Sequence, residues 1–466
     1  PPNRAARRHL SAIRVETERW RIQVREEGIY QMDFDALKRA GVLTQSVPSS
    51  QLHLYYGGGE ALSVGVPAGP RSLAEAPMVV EDGGDGHIDD GDYLLFYGES
   101  VNRWEHDPDT GTYGFRRNLY TTDNTYFLEV DPSGSGSRAE VRSGAPVDAG
   151  SLRPAGYRER VHFEEENRIA VRLADQGSGN EWYWEDFRGN ARNFPVEISE
   201  PLDDPVTLRL GFFGVSLNTH RLRVGWNGTV VGDLEFDGPV HTRHEIETED
   251  VPRPGTNLVG LTALSPRTVR LDWLEVEYSR RYTARNGELT FNGPIHEGPV
   301  EFRLEGFAGD SARVFEVSQG LAEIGNLLRE GDDLVFQDTA SEMPGRYLAV
   351  SPDRWRQPLE IRRAEASAVA DPVAGAEYVV ISHPAFMDAA TRRASWRGED
   401  DRFGPPLVAR AVSVQAIYDE FSGGLLDPAA IRNFTQHAYE NWEPPPFFVT
   451  LMGDGTFDYR NSSGLA

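Results

Sequence analysis

Cysteine is absent from the 466 residues of this chain, and lysine is nearly so. Without a thiol, the chain can form no disulfide, no thiolate metal site and no cysteine nucleophile. Lys38 is the one lysine among 47 basic residues, and 73 acidic residues bring the formal net charge to −26. We therefore expect no nucleic-acid partner, because phosphate binding depends on basic patches. Solubility, or a salty or hot habitat, would account for the acidity.

Long apolar runs are missing as well. No stretch approaches the roughly 18 consecutive apolar residues that a membrane-spanning helix requires. The chain begins at Pro1, without an initiator methionine and without a signal-peptide pattern, which indicates a processed or trimmed product. The sequence therefore predicts no transmembrane segment.

Short alternating segments fill the first 368 residues and predict β structure. Residues 1–150 combine strand patterns such as RWRIQV with a short helix at Asp35–Ala40, and their last, Gly/Ser-rich part predicts a linker or a long hairpin. Residues 151–284 contain regularly spaced strands and the hairpin signal Asn227-Gly228, which is typical of a jelly-roll-like β-sandwich. Residues 285–368 predict a smaller β module.

The pattern changes in residues 369–466. AEYVVISHP is a continuous apolar run, as in a parallel strand that is covered on both faces. Two further strands and three helices follow, and Asp427 and Pro428 form the N-cap and first position of the last helix. This β-α-β-α-β order predicts the first part of an α/β domain. The chain is thus expected to be a multidomain, mainly β protein that continues into a partial α/β domain.

An acidic loop, EDGGDGHIDDGDY, begins at Glu81 and partly matches the calcium-binding pattern D-x-[DN]-x-[DN]-G-x-I. Glu81, Asp85, Asp89 and Asp92 are the candidate Ca²⁺ ligands. The first position is glutamate and the third is glycine, so two of the usual ligands are weakened or lost. The alternative is an acidic turn that leads into the strand DYLLFYG.

Two further segments carry candidate binding residues. Trp182, Tyr183 and Trp184 in EWYWEDF would form a sugar-stacking platform on the sandwich, although alternating aromatic residues are more often half core and half surface. Asp454 and Asp458 in MGDGTFDY come directly after the third strand of the α/β segment. Ligand-binding groups gather at this end of parallel strands, but aspartates beside glycines are also common turn residues.

Three motifs in about the last 90 residues occur in a distinctive order. AEYVVISHPAF is followed by IYDEFSGGLLDPAAIRNF and then by LMGDGTFDYRN. In order and spacing they resemble the opening of the gingipain-like cysteine peptidase domain, and within that family its type IX secretion system sortase branch. GIYQMDFDAL, DGDYLLFYGES and LDWLEVEY give a softer resemblance to the β-rich N-terminal part of those proteins.

The resemblance implies a caspase-like α/β fold and a histidine–cysteine dyad whose thiolate attacks a peptide carbonyl. In the family both dyad residues follow the GDG-x-x-DYRN motif, so no catalytic residue is assigned in this chain. His383 matches the HP of the family's first strand and is interpreted as structural or substrate-side, with Asp454 and Asp458 in the active-site floor. The chain is therefore expected to be an inactive N-terminal piece of a longer cell-surface endopeptidase.

The partners that the resemblance implies are secreted protein substrates, outer-membrane secretion or attachment subunits, and the second half of the α/β domain. The alternative is a non-catalytic surface adhesion or assembly protein whose jelly roll binds carbohydrate or protein. A GHG motif and a cysteine further along the gene would distinguish the two. Because half a sheet leaves an apolar edge exposed, we also expect residues 371–466 alone to be poorly soluble.

Overall fold

The computed structural model is built mainly of β-strands and divides into two units. It describes residues 18–66, 68–107, 112–147, 150–169, 182–307, 309, 311–318, 320–340, 344–365, 368–371, 375–402, 404–456 and 458–460. The first unit comprises Pro1–Asn102, Tyr120–Arg138 and Arg356–Gly455; the second comprises Arg103–Leu119, Ala139–Trp355 and Thr456–Ala466. The mainly β, multidomain fold is confirmed, and the boundaries of the four consecutive modules stay a prediction.

Four sheets form the described part of the first unit. In spatial order, the five-stranded antiparallel sheet comprises Glu360–Arg363, Arg19–Val24, Asn124–Val130, Leu52–Tyr56 and Ala74–Ala76. A three-stranded antiparallel sheet comprises Gly28–Asp33, Tyr93–Gly98 and Met78–Glu81. A short pair comprises Val47–Pro48 and His87–Ile88, and the parallel sheet comprises Ala409–Ser413, Tyr378–Ser382 and Phe448–Met452.

Two of the four described helices of the first unit begin after an aspartate whose side chain caps the helix. The four helices are α1 (Phe34–Arg39), α2 (Met387–Glu399), α3 (Val414–Phe421) and α4 (Pro428–Asn441), with short 3₁₀ turns at Ser49–Gln51 and Pro384–Phe386. Asp33 caps α1 by accepting the backbone N–H of Ala36 at 2.6 Å. Asp427 caps α4 as predicted, accepting the N–H of Ala429 at 2.8 Å. None of the described helices is long and apolar enough to cross a membrane.

Tyr378–Ser382 is the central strand of the parallel sheet, and its five residues are all buried. Val379 and Ile381 pack with α3 and α4, whereas Tyr378 and Val380 pack with α2. The strand is therefore covered on both faces, which is why its sequence is continuously apolar instead of alternating.

The strand Phe448–Met452 forms one edge of this parallel sheet among the described residues. Its apolar side chains are largely exposed: Phe448 by 56% and Leu451 by 62%, with Phe447 just before it at 66%. An edge strand of this kind presents unpaired backbone groups and an apolar surface together.

Six described sheets make up the second unit. The first sheet of the sandwich comprises, in spatial order, Tyr157–Glu164, Val269–Arg280, Val206–Gly214 and His241–Thr248. Glu185–Phe187 also pairs with Val269–Arg280. The second sheet comprises Ala191–Ile198, Gly255–Ala263, Thr219–Trp226 and Thr229–Asp237. The smaller module has one sheet of Glu140–Ser143, Ala322–Gly325, Arg313–Glu316, Arg346–Val350 and Glu288–Asn292, and another of Gly298–Leu304, Asp333–Ala340 and Leu328–Glu330. Two pairs, Arg103–Asp107 with Thr112–Arg116 and Arg168–Ile169 with Trp182–Tyr183, and a 3₁₀ turn at Pro352–Arg354 complete it.

The sandwich is confirmed by its single apolar core, to which both sheets contribute. Val224 and Trp226 face it from one sheet and Leu210 and Leu274 from the other, all at most 1% exposed. Asn227-Gly228 forms the predicted hairpin turn, with φ of 49° and 91°. Positive φ at both residues matches the right-handed twist of the flanking strands, which is why this dipeptide predicts a hairpin so well.

The predicted linker near residue 140 contains a strand. Glu140–Ser143 pairs in parallel with Ala322–Gly325 and closes one edge of the small module's sheet. The stretch is polar and rich in glycine and serine because it supplies an exposed edge strand, whose side chains need not enter a core. Local composition therefore does not reveal a pairing partner that lies just over 180 residues further along the chain.

Candidate functional site

The carboxyl edge of the parallel sheet is the candidate functional site. Its three strands run in the same direction, so Ser382, Ser413 and Met452 all end at this edge. Open α/β sheets bind ligands just beyond the carboxyl ends of their strands. The residues that follow each strand are therefore the ones positioned to meet a substrate.

His383 follows the central strand and begins the 3₁₀ turn Pro384–Phe386. Its Nδ1 accepts the backbone N–H of Ala385 at 3.2 Å, and its side chain is exposed. In a neutral imidazole this bond places the remaining proton on Nε2. His383 thus caps the turn with one nitrogen and leaves the other as a hydrogen-bond donor at the carboxyl edge, so it can combine the structural and the substrate-side role.

Asp454 follows the neighbouring strand, whose last residue, Met452, is in register with Ser382. It is exposed, and it comes after Gly453, whose φ of 129° turns the chain away from the strand in a region that favours glycine. The two strands therefore bring His383 and Asp454 to the same edge of the first unit.

Asp458 has a different environment from Asp454. It is 5% exposed, its backbone N–H donates to Thr456 Oγ1 at 3.0 Å, and it belongs to the second unit. A carboxylate buried in this way is a structural acceptor or an orienting group, not a surface ligand. The two aspartates of MGDGTFDY therefore differ in exposure, and the assignment of Asp458 to the active-site floor stays a prediction.

Sequence reasoning missed a buried ion pair behind the sheet, in the first unit. Arg21 Nη1 lies 3.2 Å from Asp419 Oδ1 on α3, and Arg21 Nη2 donates to the carbonyl of Gly424 at 3.0 Å. Burial raises the pKa of Asp419 to about 6, although Arg21 opposes the shift. Aspartate on the inner face of a short amphipathic helix was the one signal that could have revealed it.

The acidic loop uses its carboxylates for turn bonds. Asp85 Oδ1 accepts the N–H of His87 at 2.9 Å, Asp89 Oδ2 accepts the hydroxyl of Ser46 at 3.1 Å, and Asp92 Oδ2 accepts the N–H of Asp89 at 2.9 Å. Glu81 is the last residue of the strand Met78–Glu81. Within the described ranges, no three acidic or histidine side chains are grouped to hold a metal ion. The geometry is that of the acidic turn, and calcium binding stays a prediction.

The aromatic segment contributes to the interior of the second unit. Tyr183 is 1% exposed, and Trp184 packs edge to face against Phe194 of the sandwich core at 4.7 Å. Trp182 is half-buried and pairs with Ile169. Alternation here divides the aromatic residues between two packed environments, so Tyr183 and Trp184 do not form the stacking platform.

Comparison with known proteins bears on this site. Residues 371–465 match the model of peptidase family C25, and no curated protein matches the sequence. The structure of dimeric latent PorU from Porphyromonas gingivalis is similar with a TM-score of 0.71 and 17% identity, over 96% of this chain and 42% of that one. The chain thus spans less than half the length of PorU, and at this identity the likeness shows the fold.

Carbohydrate-binding modules also match parts of the chain. A family 35 module from Clostridium thermocellum covers 26% of this chain and 95% of its own, with 13% identity and a TM-score of 0.19. A family 36 module in complex with calcium and xylotriose covers 25% and 98%, with 13% identity and a TM-score of 0.19. Scores this low establish neither a shared fold nor a ligand.

The resemblance of residues 371–465 to gingipain-like peptidases is confirmed, and the chain as a whole has a PorU-like fold.

Proposed function

We propose that this chain is the N-terminal part of a cell-surface cysteine endopeptidase related to the type IX secretion sortase. In this proposal the complete protein cleaves C-terminal sorting signals from secreted proteins, and outer-membrane secretion or attachment subunits are its partners. The observation that carries the proposal is the family C25 match over residues 371–465, which form a parallel sheet with His383 and Asp454 at its carboxyl edge.

The chain itself would contribute the floor of the active site and no nucleophile. None of its 466 residues is cysteine, so a thiolate that attacks the peptide carbonyl has to come from outside this sequence. The exposed side of Phe448–Met452 would receive the next strands of the sheet, which would cover Phe448 and Leu451. In this arrangement His383 and Asp454 orient the substrate next to a dyad that lies further along the gene.

Peptidase assays on two proteins test the proposal: this 466-residue chain, and the product of the complete reading frame. The probes are fluorescein-labelled casein and a secreted protein of the same organism that retains its C-terminal sorting signal. We expect the complete product to release that signal in an iodoacetamide-sensitive reaction, and the 466-residue chain to cleave neither probe. Cleavage by the 466-residue chain, or complete resistance of the longer product to thiol alkylation, would contradict the proposal.

The role of the carboxyl edge is tested in the complete product. Asp454→Ala is expected to lower kcat/KM at least tenfold without changing the melting temperature, because Asp454 is exposed and has no packing role. Asp401→Ala is the matched control, since Asp401 is equally exposed but follows α2, away from the carboxyl edge. Equal losses in both variants would remove Asp454 from the site.

A further inference from the structure

A β-bulge on the sandwich places an unusual carboxyl group in the second unit. Along the pairing with Val206–Gly214, Gly211 is opposite Trp273 and Phe212 is opposite Leu271, so Asp272 has no partner on that strand. Leu271 and Leu274 both enter the sandwich core. The extra residue therefore puts Asp272 and Trp273 together on the outer side of the sheet, where strict alternation would have placed only one of them.

Asp272 is a buried carboxyl group surrounded by other charged side chains. It is 7% exposed, and the charges that act on it are those of Glu164, His162 and Arg117. No donor among the residues that the structure describes bonds to its carboxyl oxygens. Burial first, and then the charge of Glu164, raise the pKa of Asp272 to about 7.

His162, whose charge acts on Asp272, bonds to two other carboxylates. Its Nδ1 is 3.1 Å from Glu275 Oε1, and its Nε2 is 3.0 Å from Glu164 Oε2. Both ring nitrogens can donate only when the imidazole is doubly protonated. Burial opposes that charge, but the bonds to Glu164 and Glu275 prevail and raise the pKa of His162. The ring of Phe115 stacks on the imidazole at 4.1 Å.

Further charged groups surround this pair on every neighbouring element. Arg117 contacts both Glu164 and Glu166, and Arg460 contacts Glu166. The other charged residues that form ion pairs on the strands around the bulge include Arg103, Glu105, Arg116, Arg160, Glu185, Asp186, Arg209, Arg243, Arg270 and Glu275. Each of these residues is ion-paired with another. The charges that act on Asp272 within the described part of the chain are those of Glu164, His162 and Arg117, and Glu164 carries the same sign as an ionised Asp272.

We propose that Asp272, Glu164 and His162 form a proton-controlled lock on the outer face of the sandwich. With protons on Asp272 and His162, the imidazolium joins Glu164 to Glu275 and holds Phe115 against the sheet. When both protons are lost, Asp272 repels Glu164 and the histidine no longer donates to both carboxylates. The cluster and the stacked ring then loosen. This device lies wholly in the second unit and does not depend on the peptidase proposal.

The direction of the pH response follows from each group. The pKa of Asp272 is raised from 3.8 to about 7. The free energy of unfolding therefore falls as the pH rises through that interval, because the unfolded chain loses this proton more readily than the folded protein does. Because the pKa of His162 is raised from 6.5, its contribution is present below pH 6.5 and is lost as the pH rises further. The lowered pKa values of Glu164 and Glu275 act in the opposite sense, but only below about pH 4.5. The stability that the lock contributes therefore falls as the pH rises towards about 7, where Asp272 ionises in the folded protein, and the loss of the proton from His162 adds to this fall above pH 6.5.

Thermal unfolding of the full chain and its Asp272→Asn variant, from pH 5.5 to 8.5, tests the lock. Asparagine cannot ionise, so we expect the melting temperature of the variant, relative to that of the native chain, to rise by several degrees between pH 5.5 and about 7 and then to level off. Asp186→Asn is the control: it removes a more exposed carboxylate that is ion-paired with Arg270, and its difference from the native chain should not vary with pH. A pH-independent difference for Asp272→Asn would overturn the proposal.

Hydrogen exchange of the same proteins locates the change. After correction for the intrinsic pH dependence, residues 114–117 and 158–164 of the native chain should lose protection at pH 8, and those of Asp272→Asn should retain it. If asparagine at position 272 prevents folding, Glu164→Gln provides the second test, because it removes the neighbouring charge and should reduce the pH dependence of melting. An unchanged pH dependence in that variant would also overturn the lock.

Discussion

Asp427 serves two backbone amides with one carboxylate. Oδ1 caps α4 through Ala429 at 2.8 Å, and Oδ2 accepts the N–H of Leu62 at 2.7 Å. Asp427→Ala removes both bonds and leaves two part-buried N–H donors without this acceptor, so we expect the free energy of unfolding to fall by about 2–3 kcal/mol. Urea denaturation measures the loss. Asp427→Asn retains the capping oxygen and should lose less than half as much; equal losses would mean that capping is not the cause.

The buried pair of Arg21 and Asp419 makes a second prediction about single residues. Asp419→Ala leaves a guanidinium that is 3% exposed without its counter-charge, and removing one member of such a pair costs about 3–5 kcal/mol. The double variant Arg21→Met/Asp419→Leu removes both charges and should lose less stability than Asp419→Ala alone. Denaturation of the single and double variants measures both losses. A double variant that is the less stable one would show that the ion pair itself stabilises the fold.

These two carboxylates differ in how far the sequence reveals them. Asp427 stands directly before Pro428, and capping depends on neighbours within three residues, so local sequence predicts it. Asp419 owes its environment to Arg21, almost 400 residues earlier in the chain. The residues near Asp419 in the sequence do not predict that Arg21 is its partner. For single residues, the sequence predicts contacts between near neighbours in the chain, and it predicts that His383 ends a strand. It does not predict that Asp454 is exposed while Asp458 is buried.

Among the strands, Gly211 has a packing role that can be tested. A Cβ at this position would lie 2.4 Å from the indole ring of Trp273. We expect Gly211→Ala to displace the tryptophan and to lower the free energy of unfolding by about 1–3 kcal/mol, as measured by urea denaturation. Gly114→Ala is the control, because no heavy atom lies within 4 Å of its added Cβ. If Gly211→Ala is as stable as the control, the ring has room to move.

Elements with local signals were predicted from the sequence, and those fixed by distant partners were not. The hairpin at Asn227-Gly228, the covered strand Tyr378–Ser382 and α4 each have a turn, a periodicity or a cap within their own residues. The strand Glu140–Ser143 has none of these local signals. It forms because its backbone pairs in parallel with Ala322–Gly325. The bulge at Asp272 likewise depends on the register with a neighbouring strand.

For the whole molecule, the net charge of −26 leads to a prediction about salt. Mutual repulsion of the excess carboxylates disfavours the compact state, and added salt screens it. At pH 7.5 we therefore expect the melting temperature to rise between 10 and 150 mM NaCl. At pH 5, close to the sequence pI of 4.9, the same addition should have little effect. A fall at pH 7.5 would mean that the arginine–carboxylate pairs outweigh the repulsion.

The division into two units lay beyond sequence reasoning. Composition shifts along the chain suggest consecutive modules, whereas contacts join Arg19–Val24 to Glu360–Arg363 in one sheet. Pairing of this kind depends on which edges remain open after the local hairpins have formed, and no window of sequence contains that information. Resemblance to a family identified residues 371–465, but gave no account of how they combine with the N-terminal strands.

The same sheet has a consequence for biosynthesis. Arg19–Val24 lies between Asn124–Val130 and Glu360–Arg363. One edge of this strand therefore has no partner until more than 300 further residues have been translated. At about 5–20 residues per second, that interval lasts roughly 20–70 s. During this time that edge of Arg19–Val24 has no partner strand from the first unit and is open to pairing with another chain. The five-stranded sheet can therefore be completed only late in synthesis, after Glu360–Arg363 has been made.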